Sequence, residues 1–111
     1  MEVRLRVWIE ENGKVIFGDG RAMIFRKAVE KGSLWGAAGA LEMSYKALWS
    51  KIKTTEKRTG IKFIKTSRGR KGGTVITEEG IRFLERYEAF RAKLQEKAEE
   101  LFREYFPEGL S

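Results

Sequence analysis

The chain has 111 residues and a net charge of +7, with 23 Lys or Arg against 16 Asp or Glu. It contains no cysteine and no histidine, which excludes a disulfide framework, a thiolate metal site and the most common catalytic base. No apolar run approaches the roughly 20 residues of a membrane span, and the N-terminus lacks the apolar core of a signal peptide. We therefore expect a single compact domain over residues 1–111 in the cytoplasm, with no membrane partner, cofactor, metal or enzymatic activity.

The first twenty residues carry the signals of a β-hairpin. Residues 3–9 alternate apolar and polar side chains, which is the period of a half-buried strand. Asn12-Gly13 favours a tight turn, after which residues 14–17 return as the second strand. Gly18-Asp19-Gly20 then ends the sheet, and Asp19 is expected to cap the next helix. The N-terminal hairpin is thus predicted over residues 1–18.

Three helices are predicted next, at residues 21–31, 34–41 and 45–58. Ser33 and Ser44 precede the second and third, and serine is a preferred residue type at a helix N-terminus. Gly32 and Gly60 follow the first and third, where glycine commonly ends a helix. Two short helices before a longer one give the order of a helix-turn-helix.

The third predicted helix has an apolar face and a cationic face. The apolar face comprises Tyr45, Leu48, Trp49 and Ile52, which we expect in the core. For Tyr45 and Trp49 the alternative is stacking on a nucleotide, and Trp35 lies either between helices or at the surface. The other face carries polar side chains at helical spacing: Lys46, Ser50, Lys53 and Lys57.

A basic β-hairpin follows the third helix. Residues 61–67 and 74–76 are β-like, and they flank a cationic, glycine-rich loop over residues 68–73. This loop lacks the spacing of a phosphate-cradling nucleotide motif. Together with the third helix it lies in a segment, residues 44–73, that holds ten Lys or Arg and one acid, Glu56. Such a patch is the electrostatic footprint of a protein that binds a polyanion.

The last predicted helix spans residues 78–106, with Thr77 as its N-cap and Pro107 beyond its end. At 1.5 Å per residue it would extend about 45 Å, more than a small domain needs. An apolar stripe runs along it, and we expect its distal part to form a homodimer contact through Leu94, Ala98, Leu101 and Tyr105. The acids on the remaining surface are expected to be solvated and paired with Lys and Arg, not to form an active site.

The order of elements predicts an α+β winged helix-turn-helix, with the helix-turn-helix and wing over residues 19–77. In this fold the third helix enters the major groove of double-stranded DNA and the wing contacts phosphates. The predicted DNA-binding residues are Ser44, Tyr45, Lys46, Ser50, Lys53, Lys57, Arg68, Arg70 and Lys71. The charge patch is equally compatible with a non-specific, architectural DNA-binding protein. A third alternative is a DNA-binding subunit whose last helix recruits a separate ligand-sensing protein.

Several motifs resemble the N-terminal DNA-binding domain of the ModE family of molybdate-responsive transcriptional regulators. They are Phe17-Gly18-Asp19-Gly20-Arg21-Ala22, Met43-Ser44-Tyr45-Lys46 with Trp49, and Gly69-Arg70-Lys71-Gly72-Gly73. The resemblance covers nearly the whole chain and implies a sequence-specific homodimeric regulator, here lacking its own molybdate-binding domain. The family commonly has glycine at the turn position of Glu42, so a turn with positive φ would strain this residue.

Overall fold

The structure, a computed structural model, describes residues 1–67 and 73–110. Its elements in chain order are β1 (Trp8–Glu11), β2 (Lys14–Gly18), α1 (Asp19–Lys31), α2 (Leu34–Ala40), α3 (Tyr45–Thr59), β3 (Ile64–Ser67), β4 (Gly73–Ile76) and α4 (Glu78–Tyr105). Strands β1 and β2 form one antiparallel hairpin, and β3 and β4 form another. This is the predicted α+β winged helix-turn-helix with a long C-terminal helix.

The predicted helix boundaries follow from local hydrogen bonds. The hydroxyls of Ser33, Ser44 and Thr77 each accept a backbone N–H three residues downstream, at 2.9–3.1 Å. Gly32 and Gly60 end α1 and α3 in the left-handed conformation, with φ near +70°. These five predicted end signals are therefore confirmed.

The core lies where α1, α3 and α4 meet the two hairpins, and it is aromatic at its centre. The rings of Phe17, Phe25 and Phe63 stack on one another with centroids 4.6–6.4 Å apart, and each side chain is fully or almost fully buried. Leu48 and Leu84 bring α3 and α4 onto this cluster. Because Phe63 immediately precedes β3, the same cluster fixes the start of the second hairpin relative to α3.

The N-terminal strand is shorter than predicted, because it begins at Trp8 and not at residue 3. The alternation over residues 3–7 is nevertheless present in the structure: Val3, Leu5 and Val7 are half-buried and the residues between them are exposed. Side chains of α4 take the place of a partner strand. Gln95 donates to the Val3 carbonyl, and Arg91 donates to the Leu5 carbonyl at 2.8 Å. The pattern correctly predicted an extended, half-buried segment, but its partner is a helix.

Asp19 is not the N-cap of α1, because Gly18 holds that position and Asp19 is the first helical residue. The Asp19 carboxylate instead accepts hydrogen bonds from the Tyr87 hydroxyl (2.6 Å), Arg91 Nε (3.0 Å) and the Val7 amide (3.0 Å). These bonds join the N-terminal segment, α1 and α4. Burial raises the pKa of the Asp19 carboxyl, but the hydrogen bonds from Tyr87 and Arg91 outweigh it and leave the pKa below its usual value.

We expect Asp19→Asn to lower the free energy of unfolding at pH 7 by about 1–2 kcal/mol, since the partly exposed negative charge is removed and one accepting oxygen becomes an amide nitrogen that cannot accept. Because the folded-state pKa is lowered, this stabilisation exists above the unfolded-state value near 3.8 and disappears as the pH falls through the folded-state pKa. Urea denaturation at pH 7 and pH 3 measures both effects. Glu30→Gln is the control, because its exposed pair with Lys27 contributes little. Equal stability of Asp19→Asn and wild type at pH 7 would contradict the assigned role.

The turn between α2 and α3 contains a residue with positive φ. Glu42 has φ of +54°, and the Met43 amide that follows donates to the Ala38 carbonyl at 3.0 Å. A non-glycine residue in this region costs roughly 1 kcal/mol or more. The strain expected at Glu42 is therefore present, and the turn keeps the geometry that glycine would adopt more easily.

Candidate nucleic-acid interface

Helix α3 is anchored by one face and leaves the other free. Leu48, Ile52 and Thr55 are fully or almost fully buried against the core. The Thr55 hydroxyl accepts a hydrogen bond from Arg21 of α1 at 2.9 Å and donates one to the Lys51 carbonyl. These contacts fix the rotation of α3 about its own axis, and hence which side chains face outward.

The outward face carries most of the predicted DNA-binding residues. Lys46, Ser50 and Lys57 are all exposed and follow one another along the helix. Ser44 lies at the N-terminus of α3, where its side-chain oxygen already accepts the Ala47 amide at 3.1 Å. An exposed row of cations and hydroxyls on one helix can hydrogen-bond both to phosphates and to base edges.

The prediction that Trp49 lies in the core is wrong, since 37% of the side chain is exposed. It belongs to a surface stack that we call the aromatic ladder, formed by Trp35, Tyr45 and Trp49. The Tyr45 ring lies between the two indoles, with centroids 4.7 Å from Trp35 and 6.2 Å from Trp49. Trp35 is 68% exposed, and Tyr45 is half-buried.

Lys53, another predicted DNA contact on α3, also has protein partners. Its Nζ lies 2.9 Å from the Glu56 carboxylate and 5.6 Å from the centroid of the Trp49 ring. The lysine remains half exposed, so its charge still contributes to the outward face.

Glu56, the acid of the basic segment, has a structural role that the sequence did not reveal. Its side chain is only 14% exposed, and one carboxylate oxygen accepts the backbone amides of Phe63 (2.8 Å) and Ile64 (3.2 Å). Burial raises the pKa of the Glu56 carboxyl, but the bonds from Lys53 and the two amides outweigh this and lower it overall. Glu56 thereby connects α3 directly to the start of β3.

The wing residues Arg68, Arg70 and Lys71 lie outside the described residues, so their roles remain predictions from sequence. The strands that lead to them are described. Residues 64–67 pair in antiparallel register with residues 73–76, and Ile64 lies opposite Ile76. Both of these isoleucines are buried in the core.

A second surface lies at the other end of the molecule, along the distal half of α4. Leu94 and Ala98 are half-buried and line a groove, which is closed on its other side by Leu5, Val7 and Trp8. Leu101 is 54% exposed, and Tyr105 is 72% exposed. In α4, all of which is described, no residue after Tyr87 is fully buried. Three of the four predicted dimerisation residues, Leu94, Ala98 and Leu101, thus line one open groove, which also includes Arg6 and Lys97; Tyr105 is not among its lining residues.

Comparison with known families decides the assignment of the helix-turn-helix. Residues 21–81 match the bacterial regulatory helix-turn-helix proteins of the lysR family, a range that begins in α1 and ends in the first turn of α4. The chain belongs to the lysR family. Because this family is one of helix-turn-helix regulators, the chain is a DNA-binding transcriptional regulator. The match is to the lysR family and does not identify the chain as a ModE regulator.

The lysR-family match contains α3, both strands of the second hairpin and the whole aromatic ladder. A comparison with curated proteins gives no match. Within residues 1–67 and 73–110, no helix combines the length and the apolar character that crossing a membrane requires.

Proposed function

We propose that this lysR-family chain is a sequence-specific regulator that binds double-stranded DNA as a homodimer and has no enzymatic activity. The observation that carries the proposal is the outward face of α3. Lys46, Ser50 and Lys57 are exposed there, on a helix whose N-terminus is capped and whose opposite face is buried in the core. In a helix-turn-helix the N-terminal part of this helix contacts base edges. A DNA-binding regulator of this kind would act in the cytoplasm, where bacterial DNA lies.

The homodimer is supported by the surface around the distal half of α4. Leu101 is large, exposed and lines the groove beside Trp8, and Tyr105 is exposed one helical turn further along α4. Exposed apolar side chains gathered in this way are typical of a protein interface. A two-fold dimer would place two copies of α3 on the same DNA, so its operator would contain two related half-sites.

The test is to select genomic DNA fragments with the purified protein at about 0.2 M salt and to sequence them, because that ionic strength suppresses purely electrostatic binding. We expect enrichment of an inverted repeat whose half-site centres are about 10 bp apart, one helical turn. Recovery of fragments evenly across the genome would contradict sequence specificity and favour an architectural DNA-binding protein. Light scattering at micromolar concentration should give twice the mass of one chain.

We expect Lys46→Ala to relax the preference at one base position of each half-site. A lysine bonded to guanine O6 and N7 discriminates against the other bases by about 1–3 kcal/mol, which is about 5- to 150-fold in affinity. Titration of duplexes that differ only at that position measures the change. Lys31→Ala, an exposed lysine at the end of α1, should keep the wild-type preference. An unaltered preference in Lys46→Ala would remove Lys46 from the base-reading set.

Simultaneous replacement of Arg68, Arg70 and Lys71 by alanine should weaken binding to all duplexes alike. Each lost phosphate contact reduces the slope of log affinity against log salt by about 0.9, so three contacts account for about 2.7. Fluorescence anisotropy at several salt concentrations gives the slope. A triple variant with the same loss of charge elsewhere, Lys27, Lys93 and Arg103 to alanine, separates contacts from net charge. A wild-type slope in the wing variant would show that the wing does not touch phosphate.

We further propose kinship with the ModE regulators within this assignment, supported by the motifs around residues 17–22 and 43–49 and by the turn geometry at Glu42. Any effector would then be sensed through a ligand-binding part, which could belong to a separate protein. Purification of the protein from its source under native conditions tests whether the sensor is a separate protein, because such a sensor would co-purify as a second, stoichiometric polypeptide.

A further inference from the structure

The aromatic ladder presents apolar surface within the most cationic part of the chain. Lys46 adjoins Tyr45 in sequence, and Lys53 Nζ lies over the Trp49 ring. Trp35 has no interior role, because it remains 68% exposed although its indole stacks on the Tyr45 ring. A partner that covers the ladder must therefore carry negative charge and also offer apolar groups at close spacing.

The position of the ladder restricts this partner further. Tyr45 is the first residue of α3, and Trp49 lies one turn later, so two of the three rings belong to the half of the helix that meets base edges. Trp35 extends the stack to the N-terminal end of α2. In the major groove the one apolar group that base pairs display is the C5-methyl of thymine.

We propose that the aromatic ladder reads thymine C5-methyl groups in the major groove, with Trp35 and Trp49 as specificity-determining residues. The proposal rests on DNA binding through α3 and names the base feature that this face recognises. Lysines beside the ladder bind phosphates and the polar edges of neighbouring bases, while the aromatic rings exclude water from the thymine methyl groups. Burial of one methyl group is expected to raise affinity about fourfold, which is equivalent to about 0.8 kcal/mol.

The experiment compares two 30-bp duplexes, alternating d(AT) and alternating d(AU), which differ in the thymine methyl groups. Affinities are measured for wild type, Trp35→Ala and Trp49→Ala. Met23→Ala is the control, since Met23 is also a large exposed apolar side chain but lies on α1, outside both the ladder and the α4 groove. We expect wild type to prefer d(AT) by at least about fourfold, the ladder variants to approach a ratio of one, and Met23→Ala to retain the wild-type ratio.

Equal binding of wild type to both duplexes would overturn the proposal, as would a wild-type ratio in both ladder variants. Thermal melting of each variant shows whether it is folded. Because Trp35 is largely exposed, Trp35→Ala should disturb the core least. Failure of wild type to bind either duplex would also overturn the reading of methyl groups, and titration of a guanine-containing 30-bp duplex would then show whether DNA binding itself fails.

Discussion

Replacement of Leu101 by glutamate should convert the proposed dimer to a monomer and lower affinity for a two-half-site operator by at least about a hundredfold. The side chain is 54% exposed in the single chain, so glutamate is tolerated there when the chain is alone. In a dimer, the same position would place a carboxylate of each copy in an apolar contact, which is strongly unfavourable. Loss of the second half-site then removes an avidity gain of roughly 10²–10⁴.

Light scattering and operator titration measure the two effects of Leu101→Glu. Ala89→Glu is the control, because Ala89 is also exposed on α4 and receives the same charge, but lies outside the apolar stripe. We expect Ala89→Glu to remain dimeric and to bind as wild type does. If Leu101→Glu stays dimeric, the interface lies elsewhere. If it becomes monomeric and keeps full affinity, the dimer is not required for operator binding.

Replacement of Glu56 by alanine should lower the free energy of unfolding by about 2–4 kcal/mol, because the buried amides of Phe63 and Ile64 lose their acceptor. Glu56→Gln keeps a carbonyl oxygen that can accept both amides, and should cost about 1 kcal/mol. Urea denaturation gives the change, provided that the slope of the transition is unaltered. Since Glu56 aligns α3 with the second hairpin, the alanine variant should also lose operator affinity before it unfolds.

Lys53→Ala separates the amide bonds of Glu56 from its ion pair. The Lys53 side chain of this ion pair is about half exposed to solvent. Loss of the pair should therefore lower the free energy of unfolding by less than about 1 kcal/mol. A loss in Lys53→Ala as large as that in Glu56→Ala would assign the stabilisation to the ion pair and contradict the role of the backbone bonds.

Acid provides a second test of Glu56. Its pKa in the folded protein is below the ordinary value of 4.5, so ionised Glu56 stabilises the fold above that pH. This contribution is lost as the pH falls through the folded-state pKa. Glu56→Gln should therefore show a weaker fall in stability than wild type below about pH 4.5.

The parts of the fold that were predictable from sequence depend on neighbouring residues. Ser33, Ser44 and Thr77 cap helices through bonds to amides three residues away, so the local sequence contains the whole interaction. Periodicity was equally informative about which side chains share a face. It placed Leu48 and Ile52 correctly in the core.

The parts that were missed depend on residues distant in sequence. Trp49 is one position from Leu48, but its ring stacks on Tyr45 at the surface and not in the core, an outcome set by how α3 packs on the rest of the chain. Residues 3–7 have Arg91 and Gln95 as partners, 86 and 92 positions away. Glu56 looked like one acid among many cations, because its bonds to Phe63 and Ile64 cross the turn at Gly60.

The three tryptophans fall on two separate surfaces, Trp8 beside the α4 groove and Trp35 and Trp49 on the ladder. All three are exposed enough for their emission to respond to a change of solvent contact. In a Trp8→Phe variant the remaining tryptophans lie on the ladder, so intrinsic fluorescence would follow contacts of the α3 face alone. In a double Trp35→Phe, Trp49→Phe variant the remaining tryptophan is Trp8, so fluorescence would follow contacts of the groove alone. Stopped-flow records of the two variants would then reveal whether protein subunits associate before they meet DNA or assemble on it.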